Sequence, residues 1–197
     1  MSKFTKQAIM EGFIELSKQM PIEKITVKKV TDHIGITRNT FYYHYQDIYD
    51  LLDEIVLTKA QKLFVLDEDN LQDSWKSNLR FMGQYAKKNE TFIRNLYQSM
   101  GRDAFGDRLV DICKESIYKS VKLYAEMMKV KHPDYVYTEQ DMRDCAYILA
   151  KMLSETACEW IRGRISSDPV AVMEKCIYTI DGVGEKILEN LSRHNQI

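Results

Sequence analysis

The sequence is poor in helix breakers: its 197 residues include only three prolines and eight glycines. Alternation of apolar and polar residues at period two is also missing, which excludes a fold built mainly from half-buried strands. The four cysteines, at 113, 145, 158 and 176, form no Cys-x-x-Cys pair. That spacing argues against a zinc site or a disulfide framework and fits reduced thiols in a cytosol. The four histidines, at 33, 44, 132 and 194, lack the paired spacing of metal ligands. No apolar run approaches the roughly 18 residues a membrane span needs, and the N-terminus is polar and amphipathic, unlike a secretory leader. The expectation is a cytoplasmic protein with no membrane partner. Catalysis finds no support. Gly182-Val-Gly184-Glu185-Lys186 has no preceding strand and lacks the remaining glycines of a phosphate loop. No nucleophile elbow or paired acid site is present, so neither enzyme activity, nor a cofactor, nor a metal is expected.

What the sequence does contain is apolar residues at helical spacing, 45% of the chain, enough for a substantial core. The most informative stretch runs from Ile25 to Tyr45. Val27, Val30 and Ile34 recur at i, i+3 and i+7, and Thr26 stands where it can cap that helix. Gly35 supplies the stop and a sharp turn, and Thr37 can cap a second helix of about two turns. On that helix Phe41 and Tyr45, four apart, face inward. Arg38, Asn39, Thr40, Tyr42, Tyr43 and His44 are left to the remaining surface. Four aromatics and a histidine within residues 41–45 are hard to bury on so short a helix. The pattern reads as a helix-turn-helix that enters a DNA groove. Arg can make a bidentate contact to guanine, Asn to adenine, and a Thr methyl can touch thymine, while Tyr hydroxyls hold phosphates. The candidate DNA-binding residues are Thr26, Lys28, Thr37, Arg38, Asn39, Thr40, Tyr42, Tyr43 and His44. The formal charge of the whole chain is −1. Residues 1–45 nevertheless carry seven Lys or Arg against four acids, and the local field is what phosphate responds to.

These residues resemble the DNA-binding domain of the TetR-type (TetR/AcrR) transcriptional regulators. The likeness covers about residues 5–55 and rests on Thr26-Val27, Gly35-Ile36-Thr37, Thr40-Phe41-Tyr42-Tyr43-His44-Tyr45 and Asp47-Ile48-Tyr49-Asp50-Leu51. Asn39 stands where the family usually has a small residue and adds a candidate base reader. Ile48 stands where a lysine usually helps hold the DNA backbone. The recognition helix is also similar to the branch that includes dihydroxyacetone-kinase regulators. The resemblance implies a homodimer, repression as the usual mode, and a small-molecule effector.

In chain order, Ile9, Phe13 and Leu16 predict a first helix ending before Pro21, with Lys3 and Lys6 at its start either near phosphate or solvated. Asp47 can cap a long helix to about Leu66, with Ile48, Leu51, Leu52, Ile55 and Val56 on its apolar side. Asp67-Glu68-Asp69-Asn70 breaks the pattern. Helices then follow through Trp75, Leu79 and Met82, through Phe92 to Met100, and from about 103 to 129. Thr138 and Asp141 mark a capping start for a helix with Met142, Cys145, Leu149, Leu153, Thr156 and Trp160 on one face. Pro169 opens a last helix to about Ser192.

The fold class expected is all-α, about nine helices, with an N-terminal three-helix helix-turn-helix domain at 1–46 and a C-terminal bundle at 47–197. The bundle is expected to sense ligand and dimerise. Trp75, Met82, Tyr85, Tyr97 and Tyr118 are candidate ligand-lining residues, because aromatic and methionine side chains suit an effector cavity, and Arg80, Arg94 and Arg102 offer positive charge. Leu149, Leu153, Trp160, Met173, Ile177 and Ile180 are candidates for a dimer interface built as a four-helix pairing. The partners expected are a double-stranded DNA operator, a second copy of the chain and a small-molecule effector. The alternative is a helical adaptor or activator whose C-terminal bundle binds a protein partner.

Overall fold

The computed structural model describes residues 2–61 and 71–195. The segment Asp67 to Asn70 and the far end of the helix expected to reach Leu66 lie outside the described residues. Within them the chain forms α1 (Ser2–Ser17), a 3-10 turn (Ile22–Lys24), α2 (Val27–Ile34), α3 (Arg38–His44), α4 (Ile48–Gln61) and α5 (Leu71–Lys88). Then come α6 (Glu90–Met100), α7 (Arg102–Lys131), α8 (Glu139–Ile161), α9 (Pro169–Ile180) and α10 (Val183–Asn195). Among the described residues there is no strand. The all-α expectation holds, with ten α-helices among the described residues where about nine were expected. The extra one arises because the last helix divides: Asp181 is extended and Gly182 takes a φ of +76°. A left-handed residue cannot continue a helix, so the Gly182–Lys186 fragment marks a break and does not sit mid-helix.

Two compact units emerge, one holding α1 to α4 with α6, the other α5 with α7 to α10. In the first unit Ile9, Phe13, Leu16, Val30, Phe41, Tyr45, Leu51 and Ile55 are buried, and Phe92 and Leu96 of α6 join them. Asn95 Nδ2 of α6 donates to the Ser17 carbonyl at 2.7 Å, satisfying an acceptor at the end of α1.

In the second unit α8 buries Ala146, Ala150, Ser154 and Cys158, four apart along the helix. Sequence periodicity put the larger residues inward, yet of that expected face only Trp160 is buried. Small side chains let α8 approach α7 closely: Ser154 Oγ donates to the Gly106 carbonyl at 2.9 Å. The capping box that opens α8 is fully formed. Thr138 Oγ1 accepts from the Asp141 N–H at 3.1 Å, and the Asp141 carboxylate accepts from the Thr138 N–H at 2.8 Å. Hydrogen bonds from the Thr138 side chain, then its backbone, then Asn195 hold the Asp141 carboxyl below its ordinary range. A lowered folded pKa means that the stabilisation is present above the unfolded value of about 4 and is lost as pH falls through the folded one. Asp141→Ala is therefore expected to cost about 1 kcal/mol at neutral pH. In thermal melts the gap from wild type should close as pH drops below about 4.

Candidate nucleic-acid interface

The turn between α2 and α3 is built from local chemistry. Thr26 Oγ1 accepts from the Lys29 N–H at 3.3 Å and starts α2, while Val30 is wholly buried and Val27 and Ile34 are half-buried. Gly35, at φ +72°, ends the helix with its N–H on the Thr31 carbonyl. Any side chain there would be strained. Thr37 Oγ1 accepts from the Thr40 N–H at 3.2 Å and starts α3, and the Thr37 and Thr40 hydroxyls also share a hydrogen bond. Phe41 and Tyr45 point inward, 0% and 2% exposed, with ring centroids 5.7 Å apart. α1 crosses close behind: a Cβ on Gly12 would overlap Ile34 Cγ2.

With its inner side fixed, α3 turns the rest of its residues outward. Arg38 and Asn39 are exposed, Tyr42 and Tyr43 are 55% and 81% exposed, and Thr40 and His44 are half-buried. Tyr43 and His44 pack edge to face at 5.0 Å. Leaving two tyrosine rings in water gains nothing for folding, so this face suits a second surface that covers them. Lys28 pairs with Asp32 at 2.8 Å, both well exposed. A screened surface pair of this kind is worth about 0.5 kcal/mol and is readily exchanged for a phosphate. Thr26, by contrast, has its hydroxyl committed to the cap. Lys29 Nζ is also committed, to the Lys24 carbonyl at 2.9 Å. Lys6, expected in solvent or near phosphate, has its Nζ 2.7 Å from Glu54 of α4.

The residues expected to line a ligand site fall in different places. Trp75, Met82 and Tyr85 are half-buried on α5, and burial pushes the Tyr85 hydroxyl above its usual pKa. Tyr118 on α7 is buried, donates to Glu139 at 2.6 Å and carries the Arg143 guanidinium 4.4 Å above its ring. Tyr97 lies on α6, in the other unit. Arg80 and Arg94 are engaged with Glu174 and Glu90. Of the residues expected at a dimer interface, Leu149, Leu153 and Ile180 are half-buried. Trp160, Met173 and Ile177 are buried inside their own unit, Trp160 Nε1 donating to the Ser167 carbonyl at 3.2 Å. The outward apolar residues of α8 are instead Tyr147, Ile148 and Met152. Among the described residues no cluster of His, Cys, Asp and Glu that could hold a metal ion is present, and no helix is long and apolar enough to cross a membrane.

An all-α chain whose capped helix-turn-helix presents a polar and aromatic face belongs to the class of helix-turn-helix transcriptional regulators. Comparison with known proteins makes the assignment narrower. A sequence model of the TetR class, described as a transcriptional regulator C-terminal region, matches residues 73–182. The chain belongs to the TetR family of transcriptional regulators. No curated protein matches it by sequence. Among solved structures it is similar to the dihydroxyacetone kinase operon activator DhaS, with a TM-score of 0.68 at 16% identity over 95% of this chain and 96% of that one. It is similar, too, to a TetR-family regulator from Streptomyces coelicolor, TM-score 0.60 at 11% identity, covering 98% and 88% of the two chains. A TetR regulator from Rhodococcus sp. RHA1 matches at a TM-score of 0.56 and 16% identity over 96% and 98%. At such identities the likeness is one of fold.

Proposed function

We propose that this protein binds a palindromic DNA operator as a homodimer, represses transcription there, and is released by a small-molecule effector held in its C-terminal region. In this reading residues 1–46 read the DNA and residues 47–197 sense and dimerise. The observation that carries it is α3: anchored by Phe41 and Tyr45, it displays Arg38, Asn39, Tyr42 and Tyr43 to solvent. One such helix reads only a few base pairs, whereas two copies read two half-sites, which is why dimerisation serves specificity. The apolar outer face of α8, with Ile148 58% and Met152 51% exposed, supports a second copy as its cover.

The test is fluorescence anisotropy of the DNA upstream of this protein's own gene against a shuffled duplex, over a salt series. Tight binding to the native fragment with strong discrimination supports the reading. Equal, weak and salt-sensitive binding to both would count against it for that fragment. Effectors are then sought by ligand-dependent thermal stabilisation, since a ligand that binds only the folded state must raise its stability.

At residue level, Arg38→Ala and Asn39→Ala are each expected to cost about 1–3 kcal/mol at particular base pairs. Lys28→Ala should weaken all sequences alike and flatten the salt slope by about one. Equal losses on operator and random DNA for Arg38→Ala would remove it from the base readers.

A further inference from the structure

Lys6, on the first turns of α1, is half-buried and turned toward α4. Its Nζ lies 3.0 and 2.7 Å from the two carboxylate oxygens of Glu54 on α4, and 5.3 Å from the centroid of the Tyr45 ring. Tyr45 is the residue that ends α3, its N–H on the Phe41 carbonyl, and it is 2% exposed. Three helices therefore meet at one ammonium group: the back of the domain through Lys6, the end of the reading helix through Tyr45, and α4 through Glu54. The pair is about one-third exposed, 37% and 35% for the two side chains. It is thus less screened than the more exposed pair Lys28–Asp32, and the ring beneath it adds a cation–π contact. The Tyr45 hydroxyl sits in the same field: burial first, then the Glu54 carboxylate, then Asp50, hold it protonated.

We propose that Lys6 and Glu54 form a latch that sets the angle of α4 against the end of the recognition helix, so that Lys6 is a positioning residue for DNA reading and not a phosphate contact. α4 is joined to α3 by only three residues, Tyr45 to Asp47. A change in its tilt therefore acts directly on the end of α3, and the latch is a polar contact that opposes such a change. The inference rests on DNA reading by α3, and its test separates the two.

The decisive substitution is Glu54→Gln, because the two explanations give opposite signs. If Glu54 were only a negative charge near DNA, removing it would tighten binding. The latch requires it to weaken operator binding about threefold to tenfold while random DNA is held as before. Lys6→Met should match that loss with an unchanged salt slope, whereas a phosphate-contacting lysine would lower the slope by about one. Lys6→Arg, which keeps the charge and the cation–π contact, should restore binding. In the double variant Lys6→Glu/Glu54→Lys, affinity should recover well above that of either single charge reversal. Wild type serves as the control for the underlying reading: if it fails to discriminate operator from shuffled DNA, DNA reading fails. If wild type discriminates but Glu54→Gln binds as well or better, or Lys6→Met flattens the salt slope, the latch is overturned. Melting temperatures of all variants are measured alongside, since a loss that tracks stability and affects both DNAs equally would make the pair merely structural.

Discussion

Phe41→Ala is expected to abolish DNA binding by undoing α3 itself. The helix is seven residues long, and an isolated helix under about 12 residues is marginal in water, so it exists because its inner side is held. Phe41 is that hold: 0% exposed, edge to face with Tyr42 at 5.7 Å and tilted against Tyr45 at the same distance. Truncating a buried phenylalanine removes its burial and leaves a cavity, together about 3–5 kcal/mol. Against a domain stability of about 5–15 kcal/mol, such a loss takes much of what the smaller unit has. Circular dichroism melts should show an early transition, and anisotropy should show no specific complex. Tyr43→Ala is the control. At 81% exposure it should leave the melting temperature nearly unchanged and lower DNA affinity alone. If the two substitutions behaved alike in both assays, the division of α3 into an anchoring side and a reading side would be wrong.

The inward turn of Phe41 and Tyr45 and the outward turn of the rest of α3 were legible in the sequence because each part follows a local rule. Thr26 and Thr37 cap, Gly35 stops, and Phe41 and Tyr45 share a side by spacing; none of these depends on a distant partner. The same is true of the capping box at Thr138 and Asp141 and of Asp168, whose side chain accepts from the Val170 N–H ahead of a first-turn proline. What escaped was set by tertiary packing. α6 was readable as a helix from Phe92 and Leu96, yet nothing in its own residues says that Asn95 caps a carbonyl of α1. On α8 the period of large apolar residues pointed to one face, while close approach to α7 chose the side carrying Ala146, Ala150 and Ser154. Apolar periodicity weighs size and hydrophobicity, whereas helices that touch backbone to backbone select for smallness. Lys6 is the clearest instance within the candidate site. An exposed-looking lysine on a first turn is indistinguishable in sequence from any other, and only the fold brings Glu54 to it.

Gly83→Leu is expected to be the most damaging single substitution in the second unit. α5 and α9 are its most extensive helix pair among the described residues, and Gly83 lies buried at their crossing. A Cβ placed there would stand 3.0 Å from the Pro169 carbonyl oxygen and 3.0 Å from Val170 Cα, both backbone atoms, and 3.1 Å from Met173 Cγ. Alanine is a near balance: its helix propensity gains up to about 1 kcal/mol over glycine, against contacts that must open by a few tenths of an ångström. Leucine adds three further carbons with no room to take them, so the helices must part, at about 3 kcal/mol. The ion pairs along the same seam, Lys76–Asp181, Arg80–Glu174 and Lys87–Asp168, cannot compensate. Partly exposed pairs of this kind contribute about 0–1 kcal/mol each, and replacing Lys87 by methionine should move the melting temperature little. The comparison decides what holds α9 in place: a large fall for Gly83→Leu with a small one for Lys87→Met assigns it to close packing. The reverse order would assign it to the ion pairs.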